Sequence, residues 1–291
     1  MVEATKEYVQ NVSRRTPGLI IFLIDQSSSM DGSIFTQSGK NYTKAMVVAD
    51  CVNRWILELL GKCCAGAEFR NLLGFTFIGY SAEISSALPA IDLSRYPIVA
   101  SELAKSYITK NDGDQYDLEN NPKPKFTWIL PIASGSTNMT HALDKAYEIA
   151  NNWTKSHMDS FPPIIINITD GLTLDPNNPD ELEKSGVITG IGDKIKSIRT
   201  NYGHSLILNY LISSEALVSV KFPLERKEVS ELDFVAGPLF DMSSVVPDVL
   251  IDDAKGYDLE IKNGARFFFY NYCDTLHFIF QHGARPAPRE G

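Results

Sequence analysis

No stretch of the chain approaches eighteen consecutive apolar residues, so nothing in it reads as a membrane-spanning helix. Basic excess is missing as well. Twenty-seven Lys and Arg stand against 36 Asp and Glu, a net charge of -9, and no Lys/Arg cluster stands out. Phosphate recognition needs a basic field, so a nucleic-acid-binding role is not expected. Histidine is scarce. His141, His157, His204, His277 and His282 form neither H-x-x-H nor H-E-x-x-H, the spacings that place imidazoles around zinc. The four cysteines, Cys51, Cys63, Cys64 and Cys273, show no zinc spacing, and the adjacent pair is too local to staple a fold. Reduced cytoplasmic thiols are the natural reading. There is no G-x-S-x-G elbow to support a serine hydrolase. Met1–Pro17 is polar, carries both charges and lacks the apolar core of a signal peptide. The expectation is a cytoplasmic protein with no membrane span.

What remains is an ordinary globular composition, 44% hydrophobic and 22% charged over 291 residues, with ample length for a large core. Apolar runs alternate with helical patterns. Leu19–Ile24 has the length and composition of a strand buried on both faces. Tyr42–Leu60 repeats Val47, Val48, Cys51, Val52, Trp55 and Leu59 at helical spacing, with Gly61 as its stop. Leu72–Tyr80 is a second apolar strand, and Ser81–Leu88 a more polar hairpin partner at the sheet edge. After the irregular segment Pro89–Pro131, with one short helix near Ser101–Tyr107, a helix is expected from His141 to about His157. Further strands are expected at Ile164–Thr169, Ser205–Ile212, Phe234–Phe240 and Ala265–Tyr270. Helices are expected within Asp180–Asn201, at Val245–Ala254 and at Asp274–Gln281. This alternation predicts an α/β fold: a doubly wound, mostly parallel sheet with one antiparallel edge strand and helices on both faces. No internal repeat or composition break demands a second domain.

Chemistry concentrates where apolar strands end. Leu19–Ile24 runs into Asp25-Gln26-Ser27-Ser28-Ser29, a D-x-S-x-S pattern, and Ile164–Thr169 runs into Asp170-Gly171. Ligands of open α/β sheets gather at the carboxyl ends of strands, so the two carboxylates face one crevice if their strands are neighbours. Thr137, in Gly135-Ser136-Thr137-Asn138-Met139 just before a helix, can reach the same edge. The candidate set is therefore Asp25, Ser27, Ser29, Thr137 and Asp170. Oxygen donors without nitrogen or sulfur suit a hard divalent ion, Mg²⁺ first, with Mn²⁺ or Ca²⁺ as alternatives. Two carboxylates balance its charge, and three hydroxyls add ligation without quenching it. An acidic group on a partner is then the favoured further ligand. No member of the set is an evident general base or nucleophile, which points to binding rather than turnover. Alternatively, Asp25 and the serines simply cap or turn the chain.

These five positions, in this order and on these elements, resemble the von Willebrand factor A (vWA) domain family and its metal-ion-dependent adhesion site (MIDAS). The resemblance covers about residues 15–240. It implies that Ser27, Ser29 and Thr137 ligate the metal, that Asp25 and Asp170 bond directly or through water, and that a partner supplies a Glu or Asp carboxylate in trans. The stretch Gly264–Phe269 is similar to the intracellular bacterial branch that includes tellurium-resistance A-domain proteins. That branch implies association with protein kinases and PP2C-like phosphatases in stress or phosphorylation-linked signalling. The implied organisation is an extension at 1–14, then one domain over 15–291 with an insertion at 89–131 and a C-terminal extension from about 241. Departures from the family pattern are that insertion, Gln26, and Ser136 where glycine is frequent; none removes a ligand. The expected function is a non-enzymatic, metal-dependent adaptor. The alternatives are a metal-dependent phosphatase or phosphotransferase with Asp25 as nucleophile, and a subunit of an AAA ATPase chelatase-like machine. Against the phosphatase, Ser27 stands where that chemistry wants a second aspartate.

Other motifs read as ordinary surface or core. Gly32 to Lys40 has the wrong spacing for a phosphate loop, with Asn41 where Ser or Thr is needed. Gly190-Ile191-Gly192 lacks a third glycine and a preceding strand, and is expected as a helix irregularity. Asp112–Asp117 misplaces its glycine for a calcium loop and reads as a solvated acidic turn. Asn138-Met139-Thr140 and Asn167-Ile168-Thr169 are formal glycosylation sequons, the second inside an expected buried strand.

Overall fold

A computed structural model of the chain describes residues 7–35, 41–66, 68–108, 126–171, 179–214, 218–232, 235–255 and 260–271. The expected acidic turn at 112–117 and the expected helix at 274–281 lie outside them. The central elements are β1 (Gly18–Asp25), α1 (Lys44–Cys63), β2 (Leu73–Tyr80), β3 (Ile84–Ser86) and β4 (Ile98–Val99). They continue with α2 (Met139–Ser156), β5 (Ile164–Thr169), α3 (Pro179–Ser197) and β6 (Leu206–Leu211). The last are β7 (Val220–Lys221), α4 (Ala236–Met242), α5 (Asp248–Ala254) and β8 (Phe268–Tyr270).

One eight-stranded sheet runs in the order β7-β8-β6-β5-β1-β2-β3, with β4 also paired to β2. Strands β8, β6, β5, β1 and β2 are mutually parallel. β3 and β4 run antiparallel to β2 at one edge. The opposite edge is antiparallel too, where β7 meets β8. The fold is thus mixed α/β with a mostly parallel core, and antiparallel pairing borders it on both sides rather than one.

Burial explains the continuous apolar strands. Every residue of β1, β2, β5 and β6 is buried, as expected for strands covered on both faces. On one face, Phe22 stacks on Phe77 at 4.9 Å, and Trp55 of α1 lies 6.3 Å from Phe22 and 5.5 Å from Tyr210. On the other face, Gly74 pairs with Leu19, and Trp153 of α2 lies so close that a Cβ on Gly74 would meet it at 3.2 Å. The same face carries α4, whose Leu239 carbonyl accepts from Asn209 of β6. Helices therefore cover both faces.

The expected strand at 234–240 is replaced by helix α4, and its composition explains the error. Ala236 to Phe240 and Met242 are all buried, so no polar side marks a helical period. Pro238 lies in the first turn, where its missing N–H costs nothing. α1 continues past Gly61 to Cys63, and a short hairpin, Ser33–Phe35 with Asn41–Thr43, occupies part of the expected loop before it. Gly192 sits inside α3, where a Cβ would come 2.4 Å from Met242 Cγ, so its absence lets α3 and α4 approach closely. From the N-terminal segment, the Tyr8 hydroxyl bonds the His204 carbonyl at 2.9 Å. Within 89–131, Asn53 of α1 accepts from the Trp128 and Ile129 amides at 2.7 and 2.9 Å, fixing the return of the chain. Among the described residues, Cys51, Cys63 and Cys64 form no disulfide.

Candidate metal centre

β5 is hydrogen-bonded directly to β1, with Ile24 opposite Ile168. That adjacency is the condition under which Asp25 and Asp170 share a crevice, because Asp25 ends its strand and Asp170 directly follows the end of the next. Asp25 is 1% exposed and doubly held. Its Oδ1 accepts from the Ser27 amide at 2.9 Å, and its Oδ2 from the Thr169 hydroxyl at 2.7 Å. Burial pushes the Asp25 carboxyl up to about 6, the bonds from Ser27 and Thr169 working against that shift and the nearby Asp170 charge adding to it. A carboxylate in this setting gains from any added positive charge.

Past Asp25 the chain enters a 3-10 turn, Ser28–Asp31, anchored by the fully buried Met30. The turn brings Ser27 Oγ within 3.0 Å of Ser29 Oγ. Ser29 Oγ then donates to Asp170 Oδ1 at 2.9 Å. After Asp170, Gly171 adopts φ +116°, a left-handed backbone that glycine alone enters without strain. Its amide folds back onto Thr169 Oγ1 at 3.0 Å. Thr169 thus ties the turn after β5 to the carboxylate after β1.

The Thr137 turn lies against the serine turn through two backbone bonds. Ser134 N–H donates to the Gln26 carbonyl at 2.7 Å, and Ser28 N–H to the Gly135 carbonyl at 2.9 Å. Gly135 takes φ +78° there. Thr137 itself is half-buried, immediately ahead of Asn138, which caps α2. Asp25, Ser27, Ser29 and Asp170 are therefore linked by hydrogen bonds. The Thr137 hydroxyl stands on the adjoining turn, without a hydrogen bond to the other four.

Two participants were not anticipated. Thr169 ends a strand of isoleucines, and the polar alternation Asn167, Thr169 on one face of a buried strand was the available signal. Lys44 is the other. Its Nζ lies 2.9 Å from Asp170 Oδ2, with side chains 12% and 3% exposed. Nothing in the local sequence around Lys44 points to Asp170.

The donor set fits a small hard cation. Adjacent oxygens of a Mg²⁺ octahedron, with bonds of 2.0–2.1 Å, stand about 2.9 Å apart. Ser27 Oγ, Ser29 Oγ and Asp170 Oδ1 are spaced at 3.0 and 2.9 Å, so these oxygens already have the separations of neighbouring ligands. Among the described residues no group of three or more His, Cys, Asp or Glu gathers, so the hydroxyls are essential to this fit.

Below the site, a polar ladder crosses the sheet. Tyr80 Oη donates to Asn167 Oδ1 at 3.0 Å, Asn167 Nδ2 to Asn209 Oδ1 at 2.9 Å, and Asn209 Nδ2 to Ser243 Oγ at 2.9 Å. Asn167 is fully buried and bonded at both amide atoms, which bars glycosylation at that sequon in the folded chain.

No helix among the described residues is long and apolar enough to cross a membrane. No family model matches the chain, and no curated protein matches it. Among solved structures, it aligns with the PilB minor pilin from Streptococcus sanguinis at 12% identity and a TM-score of 0.44, over 94% of this chain and 61% of the pilin chain. It therefore spans about three fifths of that protein's length. An uncharacterized membrane spanning protein from Vibrio fischeri aligns at 14% identity and a TM-score of 0.24, covering 69% of this chain and 72% of that one. Scores this low carry no argument about function.

Proposed function

We propose that the chain is a vWA-like, divalent-metal-dependent binding module. Asp25, Ser27, Ser29, Thr137 and Asp170 would hold Mg²⁺, with Mn²⁺ or Ca²⁺ as substitutes, and the ion would dock an acidic residue of a partner protein. The observation that carries this reading is the chain of oxygens from Ser27 through Ser29 to Asp170, spaced 3.0 and 2.9 Å apart at the carboxyl edge of two adjacent parallel strands. The bound ion would supply positive charge where a partner's carboxylate arrives. The protein's own contribution is to hold five oxygens in place and to keep Asp25 dry until the charge is balanced.

The role is that of an adaptor rather than an enzyme, in the cytoplasm, within bacterial stress or phosphorylation-linked signalling. A kinase, a PP2C-like phosphatase or an AAA ATPase is the kind of partner it would serve. Calorimetric titration with Mg²⁺, joined to affinity capture with and without EDTA, tests both halves. Wild type should bind Mg²⁺ and retain a partner only when metal is present, while Thr137→Ala and Asp25→Ala lose both properties and stay folded. Partner capture indifferent to EDTA and to both substitutions would overturn the adaptor mechanism.

A further inference from the structure

The geometry points to Lys44 as a built-in counter-cation that competes with the divalent ion for Asp170 and so sets the metal concentration at which the site loads. This rests on the metal-binding reading above. The Lys44 ammonium lies 2.9 Å from Asp170 Oδ2, on the same carboxylate whose Oδ1 accepts from Ser29. Both side chains are largely shielded from water, so solvent screens the pair far less than it would a surface bridge.

The lysine is held in place for this contact. Thr43 caps α1 by accepting from the Met46 amide at 3.2 Å, which fixes Lys44 as the first helical residue. The Lys44 amide donates to the Gly32 carbonyl at 3.0 Å. Its aliphatic stem passes Gly32, where a Cβ would stand 3.2 Å from Lys44 Cε and 3.1 Å from the Ser29 carbonyl. A bare glycine at 32 therefore leaves the lysine its path to the site. The first turn of a twenty-residue helix is also an unfavourable place for a cation, since the helix dipole favours negative charge there. The contact with Asp170 offsets that disadvantage, so helix stability does not account for lysine at this position.

A divalent ion on the serine hydroxyls and Asp170 would share one carboxylate with the ammonium. Either the lysine stays and repels the ion, or it leaves and surrenders its shielded ion pair. Both routes weaken apparent metal affinity. When both cations remain, the two aspartates are overbalanced by one positive charge, which favours the arrival of an external acid.

The test is Mn²⁺ binding to the full chain, read by calorimetry and by loss of the free-ion paramagnetic resonance signal, in wild type, Lys44→Met, Lys44→Gln and Lys44→Arg. Removing the charge should tighten Mn²⁺ binding by about tenfold or more, whereas Lys44→Arg stays within about twofold of wild type. Two neutral variants keep the test open if one of them folds poorly. Binding by Lys44→Met or Lys44→Gln with none in wild type also supports competition. Wild type and both neutral variants binding with equal affinity would overturn the role of Lys44 and leave the metal site standing. No binding by any of the four proteins would overturn the metal site and the competition together.

Discussion

The Thr169 hydroxyl donates to Asp25 Oδ2 at 2.7 Å, so the last residue of one central strand holds the carboxylate that ends its neighbour. The same oxygen accepts the Gly171 amide at 3.0 Å, so the threonine couples the turn carrying Asp170 to Asp25. Replacing Thr169 with Val removes a donor from a buried carboxylate and an acceptor from a buried amide. Chemical denaturation at neutral pH in EDTA should register a loss of about 2–4 kcal/mol. The loss should shrink, but not vanish, in an Asp25→Asn background, because the Gly171 amide remains unpaired.

Asp25 is a stability liability when no metal balances it. Its folded carboxyl is raised to about 6, above the ordinary value of 3.8, chiefly by burial. Such a group adds stability below its unfolded value and loses that contribution as pH rises through about 6. By about pH 7.5 the buried carboxylate is charged, so Asp25→Asn should stabilise the metal-free protein by about 1–3 kcal/mol. The threonine hydroxyl can turn to accept from the new amide, leaving it satisfied. The same variant should lose the Mg²⁺-induced rise in melting temperature, and destabilisation in EDTA would count against the liability.

The polar ladder begins beside the candidate site, where Tyr80 stands opposite Asp25 in the sheet. In a fully buried layer, Asn167→Leu takes the 3.0 Å acceptor from the Tyr80 hydroxyl, leaving it the Ile168 carbonyl at 3.4 Å, and takes the donor from the Asn209 side-chain carbonyl. A loss of about 2–4 kcal/mol is expected in denaturant titrations.

Gln26 lies between two candidate ligands, and its amide covers Gly79. A Cβ on Gly79 would fall 2.2 Å from Gln26 Oε1 and 2.6 Å from its Cδ. Gly79→Ala therefore displaces a buried side chain whose backbone carbonyl holds the Thr137 turn through Ser134. Stability should fall by about 1–3 kcal/mol and Mg²⁺ affinity by several-fold. Adding Gln26→Ala should restore much of both, measured by melting and calorimetry, since the three nearest atoms to the new Cβ all belong to that side chain.

Elements with strong local signals are legible in the sequence, and features defined by distant partners are not. β1 and β5 are mostly apolar runs that lead into an aspartate, and they fold as adjacent buried strands. α1 and α2 carry one-sided apolar periodicity, and both form. α4 is buried on nearly every side, so its sequence has no period and its seven residues resemble a strand. Strand order is legible only as far as alternation implies a parallel sheet. The antiparallel contact of β7 with β8 joins residues about fifty apart and has no hairpin signature. The places of Asp25, Ser27, Ser29 and Asp170 at strand ends make their proximity legible, and hydrogen bonds join them. Lys44 lies 126 residues from Asp170, so only the fold brings the two together.

The most direct test is a crystal of the full chain grown with Mn²⁺ and measured for anomalous scattering. The account predicts one strong peak bonded to the hydroxyls of Ser27 and Ser29, beside Thr137 and between Asp25 and Asp170. A well-ordered site with those oxygens in place and no peak, or a peak bound elsewhere, would contradict it.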